Sequence, residues 1–235
     1  RIGAEINAST MAEHSEIALT THSKYFLDGL VLLADMLLQP LFDADQIERE
    51  RPVIANEMAR DFDDTGQTMD IDDISYELMW PKVSYSFNIL GRPENVERFT
   101  RDDLTSHYER FYTPENMVLS LAGNFDGDGM DDRLAELFGS FQRCSHRPEA
   151  ITPDPQDRPL SQFRHAHTQT AHIKLCHKAC SYRDPNLATT LVLNDLLGGG
   201  VSSRLFSVLR ETEGLVYDIS SAPSLLSDVG SIDVY

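Results

Sequence analysis

The chain has 235 residues, enough for one large or two small domains, and its 41% hydrophobic and 25% charged residues are those of an ordinary globular protein. Its longest apolar run, around Leu30 to Leu38, is broken by Asp35 and falls short of the ~20 residues that cross a bilayer. The formal net charge of -18 disfavours nucleic acid as a partner and sets up a field that attracts basic peptides, while an odd count of three cysteines (Cys144, Cys176, Cys180) makes no disulfide framework and fits a reducing, cytoplasmic compartment.

Two strands come first. IGAEINA and EIALTTH flank the polar STMAEHS and predict a hairpin whose first strand is an edge. Tyr25 to Gln39 is an amphipathic helix, with Leu27, Leu30, Val31, Ala34, Leu37 and Leu38 on one stripe, and Pro40 ends it. A second helix is predicted over Asp43 to Asp61, with Asp43 as N-cap and Gln46 at the capping-box position. Glu50 and Glu57 lie seven residues apart on it, two turns of helix, so they share a face. Spacing alone leaves two readings open, a solvated face or a ligand pair. Pro52 between them removes a bond to the Glu48 carbonyl, a defect of roughly 3 kcal/mol in a helix interior that can bend the helix there.

Seven acidic residues follow, Asp61, Asp63, Asp64, Asp70, Asp72, Asp73 and Glu77, broken by Gly66. They read as a solvated loop and helix start, or as a wall selecting basic peptides. Thr100 caps a helix through Phe111, with Asp103 at its capping-box position. MVLSLAG, residues 117 to 123, reads as a buried strand that turns at Gly123 and Asn124, and Asp131 to Phe138 as a short helix. The proline-rich stretch from Cys144 to Pro159 reads as a linker.

Beyond it, His165, His167, His172, Cys176, His177 and Cys180 invite a metal reading. The alternation of Ile173 and Leu175 with Lys174 argues instead for a strand. On a strand His172, Cys176 and Cys180 stand ~13 Å apart per step, too wide for a tetrahedral zinc. A helix is predicted over Asn186 to Leu197 and another over Ser202 to Glu213, stopped by Gly214. Gly198 to Gly200 lack a lysine at phosphate-loop spacing, which argues against a nucleotide site.

Several of these stretches together resemble the pitrilysin-type zinc peptidases, the group of insulinase and mitochondrial processing peptidase. They are LADMLLQPLFDADQI running into ERERPVIANEM, the stretch from Asn88 to Asp126, LGGGVSSRLFSVLRETEGLVY, and GAEINASTMAEH near the start. The resemblance implies an α+β fold of two related domains, each a largely antiparallel sheet with helices on one face. Residues 1–143 would be most of the first domain, 144–160 a linker, and 161–235 the start of an incomplete second. It implies that Glu57 is a zinc ligand and that Glu50 supports it. Asn7 and Ala8 would lie on the strand edge that pairs with a substrate peptide. Arg210 and Tyr217 would reach the peptide, arginine for its carbonyls and the phenol for the oxyanion.

The function implied is a zinc-dependent endopeptidase that hydrolyses peptides in a cleft between two domains. The zinc would polarise a water and the scissile carbonyl, and a glutamate would take the proton. The alternative is a non-catalytic peptide-binding or scaffolding subunit of the same family. Homo- or hetero-dimers are common there. One departure matters: the inverted zinc motif H-x-x-E-H of the family is absent from this sequence, and Glu13-His14, which resembles its tail, has Thr10 in the first position. With the chain opening on Arg1 rather than Met, it is expected to be a fragment or processed form that alone holds zinc weakly and cleaves nothing.

Overall fold

The computed structural model describes residues 2–63, 66–81, 83–141, 156–165 and 169–235, and in it a run of helices lies between short antiparallel strands near the two ends of the chain. The order is β1 (Glu5–Thr10), β2 (Ser15–Thr20), α1 (Phe26–Leu38), α2 (Ala44–Met58), α3 (Ile71–Met79), α4 (Pro93–Arg98), α5 (Arg101–Phe111), α6 (Met130–Phe138), β3 (Leu175–Ala179), α7 (Leu187–Leu197), β4 (Ser221–Leu225) and β5 (Gly230–Val234). Contacts group the chain into two units, Arg1–Asn56 with Arg92–Glu149, and Glu57–Gly91 with Ala150–Tyr235. Of the expected linker only residues 156–160 are among those described. No helix among the described residues is long and apolar enough to cross a membrane.

In the first unit β1 and β2 form the expected hairpin, with Asn7 opposite Ala18 and Ala8 opposite Ile17. Glu13 and His14 sit in its connection, closed by the Met11 N–H donating to the His14 carbonyl at 2.8 Å. Helix α1 packs on β2 and α6, burying Leu30, Ala34 and Leu37, while Leu27 and Val31 of the expected stripe stay exposed. The Tyr108 hydroxyl of α5 donates to the Leu37 carbonyl, and its ring meets Phe42 edge-on at 5.7 Å. Thr100 caps α5 in a full capping box, its hydroxyl accepting from the Asp103 N–H while Asp103 accepts from the Thr100 N–H.

The expected strand at 117–123 does not form. No described strand pairs with it, and Val118 is 92% exposed. A strand is defined by the neighbour that takes its backbone bonds, and an apolar run without one is coil.

The second unit has a three-stranded antiparallel sheet in the order β3-β5-β4. Helix α3 packs on β3 and α7 on β4. A core of Met79, Trp80, Tyr85 and Val229 gathers Tyr76, Val83, Cys176 and Leu226 around it. Sequence reading missed the β4–β5 hairpin, in part because Pro223 stands in β4, a residue tolerated only on an edge strand such as this one. Gly198 ends α7 against that hairpin: a Cβ there would stand 2.6 Å from the Ser221 nitrogen, which donates to the Gly198 carbonyl at 2.9 Å. Only glycine permits this approach.

The alternation around β3 is real but inverted. Ile173 and Leu175 are exposed, whereas the Lys174 side chain is only 7% exposed. Its ammonium lies 2.5 Å from Asp72 of α3 and 3.1 Å from Asp233 of β5. A buried cation needs such partners, and no local pattern announces where they come from.

Candidate functional site

Asp43 starts α2 as expected, its carboxylate accepting from the Gln46 N–H at 3.0 Å. The helix then runs through Pro52 without interruption. Beside the proline, Arg51 gives its Nε to Glu48 at 3.0 Å and its two terminal nitrogens to the Val96 and Phe99 carbonyls at the end of α4. Ile47 and Ile54 are half-buried, whereas Glu50 and Glu57 are exposed, and neither carboxylate has a side-chain partner among the described residues. They stand about 10.5 Å apart along the axis, at 1.5 Å per residue.

All six residues of β1 are exposed, Asn7 and Ala8 included. Its side away from β2 carries no paired strand among the described residues. That leaves backbone donors and acceptors open to an extended peptide.

Arg210 and Tyr217 come together, with the guanidinium carbon 5.5 Å from the centre of the tyrosine ring. Tyr217 is 90% exposed and lies outside any strand. The segment carrying Arg210 departs from expectation. In place of an α-helix over Ser202–Glu213, only 204–205 are α-helical and Phe206–Thr212 form a π-helix. A backbone bond spanning five residues marks it, Glu213 N–H donating to the Val208 carbonyl at 2.9 Å, and the Thr212 hydroxyl also donates to the Ser207 carbonyl at 2.9 Å. Gly214 then stops the helix with φ 59°, as its position predicts. No hydrogen bond or ion pair joins Glu57 to Arg210 or Tyr217 among the described residues. Sequence reading passed over Phe206, although its place four residues before Arg210 was a legible signal.

The acidic stretch finds partners at three positions. Asp70 caps α3, accepting from the Asp72 and Asp73 N–H groups. Asp72 pairs with Lys174, and Asp73 accepts from Thr68 at 3.1 Å and from Asn88. Burial opposes the charge on Lys174, but the hydrogen bond from Lys174 to Asp72 and the charge of Asp233 more than offset it and raise its pKa above the usual lysine value. Burial, then the charge of Asp233, push the Cys176 thiol up to about 11, so it is a poor metal ligand or nucleophile at neutral pH.

Catalytic zinc takes three protein ligands. Among the described residues no group of three or more His, Cys, Asp or Glu is placed to hold a metal, and His167 and Cys144 lie outside those described. Among the described residues, then, Glu57 is not joined by the further ligands that a zinc site takes.

Two family models match. "Peptidase M16 inactive domain" covers residues 98–235, and "Insulinase (Peptidase family M16)" covers residues 1–72. Over its whole length the chain is 31% identical to the Bacillus subtilis protein named uncharacterized zinc protease YmxG and 32% identical to Rv2782c of Mycobacterium tuberculosis, also named a zinc protease. It spans about half the length of these curated relatives, 56% and 54%. Among solved structures, a protease from Helicobacter pylori superimposes on 99% of the chain with a TM-score of 0.79 at 20% identity, the chain covering 57% of it. A peptidase M16 inactive domain from Pseudomonas fluorescens gives 0.80 at 18%, again over 99% of this chain and 57% of that one. Candida albicans complex III2 contains a chain of the same fold, with a TM-score of 0.77 at 18% identity, 99% of this chain and 57% of that chain being covered.

Proposed function

The chain belongs to the insulinase family of peptidases, family M16, and from that premise we propose that a protein of its relatives' length carrying this sequence is a zinc-dependent endopeptidase. Glu57 is its carboxylate zinc ligand and Glu50 supports that ligand. The free edge of β1 at Asn7 and Ala8 takes the backbone of a peptide substrate, and Arg210 and Tyr217 are peptide-binding residues. The reading is supported above all by Glu50 and Glu57, two exposed carboxylates on one helix face, both without a side-chain partner among the described residues. The zinc histidines and the general base are not in this sequence. The 235-residue chain alone therefore holds no stoichiometric zinc and does not turn over peptides.

The test is zinc content and cleavage of an internally quenched basic peptide by the longer protein. Glu57→Gln is expected to abolish both, and Glu50→Gln to lower metal affinity or activity by about 10–100-fold. A longer protein with Glu57 intact that holds no zinc and cleaves nothing would overturn the reading in favour of a peptide-binding or scaffolding subunit.

A further inference from the structure

Arg210 stands on a π-helix, a rare arrangement that concentrates at functional sites. Its guanidinium carbon lies 4.8 Å from the centre of the Phe206 ring and 5.5 Å from that of Tyr217. Both lie within the ~6 Å over which a cation is attracted to a ring face. The two rings differ sharply in freedom, Phe206 being 8% exposed and Tyr217 90%. A buried ring is held in one orientation by its packing, while an exposed phenol rotates. Phe206 is thus the fixed wall for the guanidinium and Tyr217 its loose cover.

Arg210 has no carboxylate partner and no hydrogen-bond acceptor among the described residues. What holds it is therefore contact with the two rings, which leaves guanidinium N–H groups open to carbonyl oxygens. The π-turn supplies the register: its extra residue per turn sets where Arg210 falls around the axis relative to Phe206.

We propose that Phe206 is a positioning residue that holds the Arg210 guanidinium flat, with its N–H edge presented to the backbone carbonyls of a bound peptide. This rests on the reading of Arg210 as a peptide-binding residue given above. Without the wall, the long arginine chain regains its rotamers and binds more weakly. Because the contact is made to substrate and transition state alike, its loss raises KM and leaves kcat in place.

Two measurements test this. In the unmodified 235-residue chain, arginine Nε–H spectra, with the Arg210 signal identified by its loss in Arg210→Lys, are expected to show nuclear Overhauser contacts from Arg210 to the Phe206 ring. Their absence overturns the proposal without recourse to any variant that fails to fold. In the longer protein, Phe206→Leu is expected to raise KM for an internally quenched basic peptide about fivefold at constant kcat, and Phe206→Tyr to restore it. If Phe206→Leu is silent while Arg210→Ala raises KM, the proposal falls alone. If Arg210→Ala is silent too, it falls together with the peptide-binding reading.

Discussion

Asp73 is a carboxylate held partly out of water. Burial raises its pKa, the hydrogen bonds from Asn88 and Thr68 draw it back, and the neighbouring charges of Asp70 and Asp61 raise it again, so the result lies above the usual carboxylate value. A folded-state pKa above the unfolded one means that the folded chain binds the proton more tightly. Stability is then highest below the unfolded value and falls as pH rises through the folded one. Asp73→Asn keeps an acceptor for Thr68 and Asn88 but carries no charge. It is expected to shift the urea midpoint upward at pH 7, with the gain over the parent vanishing below about pH 4; a gain that persists in acid would contradict this origin. Lys174 marks the limit of reading at this scale. The strand alternation around it was legible, but not the side facing inward, because Asp72 and Asp233, which receive its charge, come from α3 and β5.

Helix starts, the β1–β2 hairpin and β3 were legible, whereas 117–123 and the β4–β5 hairpin were misread, for one physical reason. A helix satisfies its own backbone, and its ends are marked by side chains a turn away, as Asp43, Asp70 and Thr100 mark theirs. A strand exists only with a partner that its own sequence does not name, which is why 117–123 looked like one and β4–β5 did not. The π-turn escaped for a related reason, since five-residue bonding leaves no compositional trace. Helix α2 offers the test at this scale. Arg51 satisfies the Val96 and Phe99 carbonyls at the end of α4. Arg51→Met leaves both without that donor, and the expected loss is about 1–3 kcal/mol in urea denaturation. Faster hydrogen exchange confined to α4 and the middle of α2 would locate the loss. An unchanged midpoint would mean that water replaces the guanidinium at no cost.

Across the whole molecule, 38 acidic residues face 20 basic ones. Such an excess repels itself and weakens the compact state. Going from about 0.01 to about 0.1 M NaCl shortens the screening length from about 30 to about 10 Å. The thermal midpoint should rise by about 2–5 °C, and a midpoint indifferent to salt would show that the charges are already neutralised in pairs. The same scale holds a consequence for synthesis. Each compact unit is stitched from two separated stretches, Glu57–Gly91 with Ala150–Tyr235 in one case and Arg1–Asn56 with Arg92–Glu149 in the other. On a ribosome α3 emerges well before β3, on which it packs, and at about 5–20 residues per second the wait lasts seconds. Through that interval Met79 and Trp80, both buried in the finished unit, have nothing of their own sheet to cover them. The nascent chain is a natural client for a holding chaperone at that point, and halting translation between α3 and β3 would be the surest way to make it aggregate.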